Sequence, residues 1–334
     1  MSKLLEVAKL AGVSKATVSR VINHSELVSP RAREKVLAAM QTLNFHSQEL
    51  KRTQESSAML GLILPFGREI RAHSFGIDIL AGAEEKAYEN EYMILIGNSI
   101  GGREGTLTSS MVNRGVEGLI LLSGGPGETE HLQLLRRSGI PLVLVDQKLE
   151  GADAHQVRGD NFAGSLQLMK HLLDEGHTRI ALLSPDKYYT HKERIKGFRF
   201  AMMERGAMPS SDLEVLLSPN DAYMDRLETL LDGEHRPTAI FVTDPGLLEG
   251  LLELLNRKRL HIPEDLSVVT FDDNYCFLPS EYRDFFTSIN QPGKLIGSLA
   301  VELLFRHWRT PDMEMQEVVL PGKLNVRRST RSLL

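Results

Sequence analysis

With 334 residues, 42% hydrophobic and 25% charged, the chain is long enough for two or three cored domains, and its ordinary composition excludes a disordered or fibrous protein. No apolar run is long enough to span a bilayer, Glu6 and Lys9 interrupt any signal-peptide core, and the single cysteine, Cys276, excludes an internal disulfide or a cysteine-rich zinc site. The net charge of −5 hides a polarity: residues 1–57 hold nine Lys/Arg against five Asp/Glu, while the remainder holds 30 against 39, so a basic head precedes an acidic body.

Residues 4–23 read as two short helices joined by a tight turn. Val7, Ala8 and Ala11 share one face of the first, and Gly12 falls where that helix must stop, since glycine tolerates the left-handed backbone beyond a helix end. Ser14 suits the N-cap of the second helix, where Val18, Val21 and Ile22 make the buried stripe. Lys15, Ala16, Ser19, Arg20 and Asn23 fall on the opposite side. That strip is short, polar and partly cationic, and it suits the floor of a DNA major groove, where Arg, Asn and Ser bond base edges and Ala touches a thymine methyl. Ser14 and Thr17 fit phosphate contacts that fix register. The segment is therefore read as a helix-turn-helix with residues 15–23 as the recognition helix. Ser29-Pro30 opens a third helix, 30–43, whose Val36, Leu37, Met40 and Leu43 are expected to close the head's core.

The run Val7-Ala8-x-x-Ala11-Gly12-Val13-Ser14-x-x-Thr17-Val18-Ser19-Arg20-Val21-x-Asn23 resembles the DNA-binding head of the lactose-repressor family of bacterial transcription regulators. The resemblance implies a head at 1–45, a hinge at 46–58 and an effector-binding and dimerisation body at 59–334. In that family the hinge becomes a helix when two subunits meet on DNA, and its leucine wedges into the minor groove. Here Gln54 stands where that leucine is usual. Leu50 lies one turn earlier and can substitute, with Lys51 and Arg52 placed for phosphates.

From Met59 onward apolar runs alternate with amphipathic stretches. Strands are expected at 60–64, 92–96, 118–122, 142–145, 179–183, 239–242 and 266–271, with weaker ones near 213–217, 286–289 and 316–321. Helices are expected at 77–90, 105–114, 128–138, 161–175, 191–205, 222–232, 245–257 and 291–308. This βαβ rhythm implies parallel sheets covered on both faces, and the strand number favours two doubly wound α/β subdomains with a cleft between them. Asp160-Asn161-x-x-Gly164, Arg194-x-x-Gly197-Phe198, Ile262-Pro263-Glu264-Asp265, Phe271-Asp272-Asp273 and Gln291-Pro292 resemble the family's effector domain, itself similar to periplasmic sugar-binding proteins. By that resemblance one subdomain holds about 60–157 and 289–320, the other about 158–288 and 321–334.

Ligands of open α/β sheets bind at the carboxyl ends of strands. Asp146, Asp244 and Asp272 each follow a predicted strand, and Arg194 opens the helix carrying Gly197-Phe198. Carboxylates accept from vicinal hydroxyls and arginine donates in a planar fork, so the set suits a sugar or other polyol. Asp146 and Asp244 fit plain helix caps and strand-end turns equally well. By resemblance Arg194 and Asp272 stand at effector-contacting positions, and Asp244 stands beside a position where the family has Asn or Ser. Phe75 keeps one aromatic of the family's first strand–helix junction and reads equally as a core residue.

Gly97-Asn98-Ser99-Ile100-Gly101 matches a nucleophile elbow, but Gly101-Gly102 delays the following helix. Gly124-Gly125-Pro126-Gly127 lacks the Lys-Ser/Thr of a phosphate loop and reads as a turn. No histidine pair has metal spacing, so neither metal nor cofactor is expected. The sequence thus reads as a cytoplasmic, homodimeric, DNA-binding repressor, not an enzyme, that meets a pseudo-palindromic double-stranded operator and a small-molecule effector, with a sugar favoured. The alternatives are a regulator answering to a phosphocarrier protein or nucleobase, and a sugar-binding protein or serine hydrolase with a helical appendage.

Overall fold

The computed structural model describes residues 3–14, 17, 18, 21, 28–42, 57–65, 74–122, 139–148, 154–206, 210–217, 223–272 and 278–334. They fall into two units, 1–59 and 60–334. The helix expected at 128–138, the hinge residues Leu50, Lys51, Arg52 and Gln54, and Leu43 lie outside the described residues, as do Lys15, Ala16, Ser19, Arg20, Ile22 and Asn23 of the recognition helix.

In the head, α1 (Lys3–Ala11) stops at Gly12, whose φ is +64°. The Gly12 N–H donates to the Lys9 carbonyl at 3.3 Å and the Val13 N–H to that of Ala8 at 3.0 Å, the paired bonds that let a left-handed residue end a helix with its last carbonyls satisfied. The chain then turns into Ser14, whose Oγ accepts from the Thr17 N–H at 3.1 Å while its carbonyl accepts from Val18. Val7, Ala8, Ala11, Val18 and Val21 pack with Val36, Ala39 and Met40 of α2 (Pro30–Thr42). Leu37, expected in this core, is 48% exposed. Positions 36, 39 and 40 hold the inward stripe, and residue 37 falls about 100° off it at helical pitch.

The body is built twice over. The first lobe's sheet contains β1 (Met59–Leu64), β2 (Met93–Asn98), β3 (Gly118–Leu121), β4 (Leu142–Val145), β5 (His155–Gly159) and β11 (Glu317–Leu320), in the order β11-β5-β4-β3-β1-β2. The second lobe's sheet contains β6 (Ile180–Pro185), β7 (Glu214–Leu217), β8 (Ala239–Val242), β9 (Ser267–Phe271), β10 (Thr287–Asn290) and β12 (Lys323–Asn325), in the order β12-β10-β9-β8-β6-β7. Strand for strand the two orders correspond. They differ at one edge, where β11 runs parallel to β5 but β12 antiparallel to β10. The chain passes between sheets after β5, after β10 and after β11.

Helices α3 (Ser74–Tyr88) and α4 (Glu104–Asn113) belong to the first lobe, and α5 (Asn161–Asp174), α6 (Tyr189–Glu204), α7 (Tyr223–Asp232) and α8 (Leu248–Lys258) to the second. Helix α9 (Gly293–Arg309) follows β10 but returns to the first lobe, against α3, β3, β4 and β5. Its Ile296, Ala300 and Leu304 join Leu60, Leu62, Val143 and Val157 in that lobe's core. The second sheet is cored on both faces, by Leu168, Leu172 and Phe198 on one and by Leu227, Leu251 and Leu255 on the other. Strands β5 and β12 were not anticipated. The first, His-Gln-Val-Arg-Gly, alternates buried and half-buried positions without an apolar run, and the second is three residues long.

Helices α3 and α9 meet through glycines. A Cβ on Gly82 would lie 1.8 Å from the Lys294 carbonyl oxygen, and one on Gly297 would lie 2.0 Å from that of Ile79. Both obstacles are backbone, which cannot rotate away as a side chain can. Gly297→Val is expected to destabilise the body by roughly 1–3 kcal/mol in urea unfolding, the usual cost of overpacking. Gly233→Ala, whose nearest neighbour is a carbonyl oxygen at 3.5 Å, is expected to change stability little. Equal effects of the two changes would contradict this packing.

Candidate functional site

The two lobes present the same strand end to each other. Asp146 follows β4 and Asp272 follows β9, strands in corresponding places, and both aspartates adopt left-handed backbone, with φ of 54° and 47°. The Asp146 N–H donates to Val157 of β5 at 3.0 Å and the Asp272 N–H to Ile289 of β10 at 2.8 Å. Non-glycine residues hold such angles only when their surroundings fix them, and aspartate tolerates them better than most.

Arg194 joins these ends. It is 5% exposed, a charged side chain inside the protein, and every face of its guanidinium is occupied. Its Nε donates to Asn161 Oδ1 at 2.7 Å, one terminal nitrogen donates to the Thr243 carbonyl, and the other lies 3.8 Å from Asp272 Oδ2. The Phe271 ring sits 3.9 Å from its central carbon. Local packing makes this possible. A Cβ on Gly197 would lie 2.7 Å from the Phe162 carbonyl oxygen, so glycine lets α6 close on α5, and Ser165 Oγ then donates to the Arg194 carbonyl at 2.6 Å. The spacings Asn161-x-x-Gly164 and Arg194-x-x-Gly197 each put a site side chain one turn from a glycine at a close contact, Gly164 against Phe271 and Ile289 of the sheet and Gly197 against α5. Arg194 does not open its helix as expected. The helix begins at Tyr189, with Thr190 and His191 already buried in its first turn, so Arg194 sits in the second.

Asp272 accepts from the Gln291 N–H at 3.0 Å and from its Nε2 at 2.7 Å. Burial raises the Asp272 carboxyl above its usual range, with Arg194 opposing. Burial lifts Asp146 to about 7, against the pull of Arg194 and with the push of Asp272. Asp146 Oδ1 is enclosed and has no hydrogen-bond partner among the described residues. Asp244 divides its two oxygens. One caps the short turn at Pro245–Leu247 by accepting from the Gly246 N–H at 2.9 Å, and the other lies 3.4 Å from His191 Nε2. One oxygen of Asp244 therefore serves as the cap that the turn reading expected. Phe75 packs on the first lobe's core and beside Gly293, just past Gln291, and is not joined to the Arg194 cluster by any hydrogen bond or ring contact among the described residues.

Asn161, His191 and Gln291 were not named as site residues. Asn161 and Gln291 lie in motifs already singled out. His191 stands three residues before Arg194, and a search for polar residues one turn from a candidate would have found it. The elbow serine, Ser99, is buried, its Oγ has no partner among the described residues, and α4 starts only at Glu104. No nucleophile–base pair forms there among those residues.

A small helical head and a two-lobed body, with polar side chains gathered where corresponding strand ends of the body face each other, define a DNA-binding regulator with a ligand-binding core. Residues 3–48 match the model of the bacterial regulatory proteins of the lacI family, and residues 169–330 match the periplasmic binding protein-like domain. The chain is 30% identical over 336 residues to catabolite control protein A of Priestia megaterium, covering 98% of this chain and 99% of that protein. The chain belongs to the lacI family of bacterial transcription regulators. Its fold matches the structure of a transcriptional regulator CelR–cellobiose complex with a TM-score of 0.71 at 28% identity, covering 98% of this chain and 99% of that one. A LacI family regulator from Enterococcus faecium with bound ribose matches with a TM-score of 0.69 at 26% identity, covering 83% of this chain and all of the other. These relatives are regulators, not enzymes. Among the described residues no helix is long and apolar enough to cross a membrane, and no cluster of His, Cys, Asp and Glu could hold a metal ion.

The raised Asp146 carboxyl gives a signed expectation. Its folded value, about 7, lies above the value near 3.9 of an unfolded aspartate, so its contribution to stability is complete below pH ~4 and is lost as pH rises to ~7. Asp146→Asn is expected to gain stability relative to the parent across that window, by at most ~1.4 kcal/mol per pH unit. Parallel melting curves check this. A difference that is flat with pH would contradict it.

Proposed function

We propose that the protein is a repressor whose grip on its operator is set by a polyol, in the first instance a sugar, bound between the lobes at Arg194, Asp272, Asp146 and Asp244. The observation carrying this reading is the buried Arg194, fixed within one lobe by Asn161 and Thr243 and in charge contact with Asp146 of the other. The ribose- and cellobiose-bound relatives support a sugar over other polyols. A ligand bridging Asp146 and Asp272 contacts both lobes at once and so favours one inter-lobe arrangement over another, which is the requirement for an allosteric signal.

Lys15, Ala16, Ser19, Arg20 and Asn23 read base edges, Ser14 and Thr17 hold phosphates, and Leu50, Lys51 and Arg52 serve the hinge. Ser14 is exposed and its Oγ lies 2.9 Å from that of Thr17, so the two hydroxyls form one small polar platform at the start of the second helix. A homodimer presents two such heads to a pseudo-palindromic operator. In its favour, β2 is an edge strand of the first sheet with Met93 and Ile96 exposed on it, a surface that edge strands usually avoid unless covered. The working compartment of such a protein is the cytoplasm, at the nucleoid when it is bound to DNA, and its action needs no catalytic step or cofactor.

Arg20→Ala is expected to weaken binding to the protein's own upstream DNA by about 1–3 kcal/mol in a gel shift, with the unfolding midpoint unchanged. Wild-type affinity in that variant would show that the strip from Lys15 to Asn23 does not read DNA.

A further inference from the structure

Three crossings join the lobes, and one side-chain contact beside them spans the divide. Arg158 is the last side chain of β5 before Gly159 and the crossing to α5. The Asp160 N–H donates to the Leu320 carbonyl at 2.8 Å, so the crossings after β5 and after β11 are tied by a backbone bond. Arg158 is anchored in its own lobe. Its Nε and one terminal nitrogen donate to Glu317 Oε1 of β11 at 3.2 and 2.6 Å, and Lys148 Nζ lies 3.8 Å from the same oxygen. The bonds from Arg158 hold the Glu317 carboxyl below its usual range. The Arg158 guanidinium carbon also lies 5.5 Å from the centre of the Tyr189 ring, which belongs to the second lobe as the first residue of α6. A cation is attracted to an aromatic face over that distance. Burial raises the Tyr189 hydroxyl above its usual range, against the pull of Arg158 and with the push of Glu193, Glu317 and Asp160, so the ring beside Arg158 is uncharged.

We propose that Tyr189 seated on Arg158 is a latch between the lobes, one that steadies their crossings and so biases their relative position. The packed cores on either side are too stable to serve that purpose, whereas a single cation–ring contact is weak enough for a ligand's binding energy to break or remake it. Helix α6 gives the latch its connection. It carries Tyr189 in its first turn and Arg194 in its second, and Gly197 lets it lock against α5, so the two side chains move as one body. The latch thereby enters the regulation of the Arg194 site, a step that rests on the polyol reading, while the contact itself does not.

The test is amide hydrogen exchange of the full chain without added sugar, read at single residues by mass spectrometry. Asp160 reports the crossings, and Phe241, fully buried in β8 between two neighbouring strands, reports the stability of the lobe as a whole. Tyr189→Leu is expected to speed exchange at Asp160 by about three-fold or more and to leave Phe241 unchanged. Tyr189→Phe, which keeps the ring, is expected to match the parent at both amides. In an Arg158→Met background, Tyr189→Leu is expected to add nothing further. The latch is overturned by an Asp160 rate that stays parental in Tyr189→Leu, that rises only in step with Phe241, or that rises equally in Tyr189→Phe. An undiminished effect of Tyr189→Leu on top of Arg158→Met overturns it as well. None of these outcomes touches sugar binding, so the polyol reading stands or falls separately, by titration of the parent chain with sugars.

Discussion

A guanidinium without water must be paired on every side, and the body's architecture follows from meeting that demand at Arg194. Removing an arginine from water costs several kcal/mol unless carbonyls and carboxylates replace the lost hydration. Asn161, Thr243 and Asp272 supply that replacement from three separate segments, the start of α5 and the ends of β8 and β9. Each is positioned by backbone. Asp160 caps α5 by accepting from the Ala163 N–H at 2.9 Å, which fixes where Asn161 begins its helix. The Thr243 N–H donates to Leu183 at 3.0 Å, continuing the sheet one residue past β8. Arg194 is thus held in place before any ligand arrives, the pre-organisation that binding sites need.

The correspondence of the two sheets explains why the other half of the site lies opposite. A doubly wound sheet gathers its strand ends along one edge, and two such sheets joined by three short crossings turn those edges toward each other. Asp146 and Asp272 are the matching residues of the two edges, and their left-handed backbone is stored strain at both. Their carboxyls repel, Arg194 attracts both, and the balance changes when the lobes shift. Electrostatic terms of this kind vary steeply with distance inside a protein, so a small inter-lobe motion alters the energy of the pair substantially.

Much of this was legible in the sequence because it is local. Apolar runs marked most strands, and the first acidic residue beyond three of them marked Asp146, Asp244 and Asp272. The head's turn was legible because Gly12 and Ser14 each answer a single backbone requirement. The rest depends on tertiary contacts that no local pattern encodes. Strand β5 has no apolar run because only its alternate residues His155, Val157 and Gly159 are buried, and its hydrogen bonds to β4 and β11 hold it in the sheet. His191 and Gln291 take their roles from Asp244 and Asp272, more than 15 residues away in the chain for each pair. Leu37 looked like core by composition and is exposed because the inward stripe of its helix runs through positions 36, 39 and 40.

The central claim is that one site between the lobes and one strip on the head report on a single equilibrium. The most direct measurement is a reciprocal titration, in which operator affinity is determined with and without a saturating sugar and sugar affinity with and without saturating operator. Thermodynamic linkage requires the two ratios to be equal, and the account predicts a common factor of about 5–150. A sugar that binds the protein with the same affinity whether or not operator is present would contradict it.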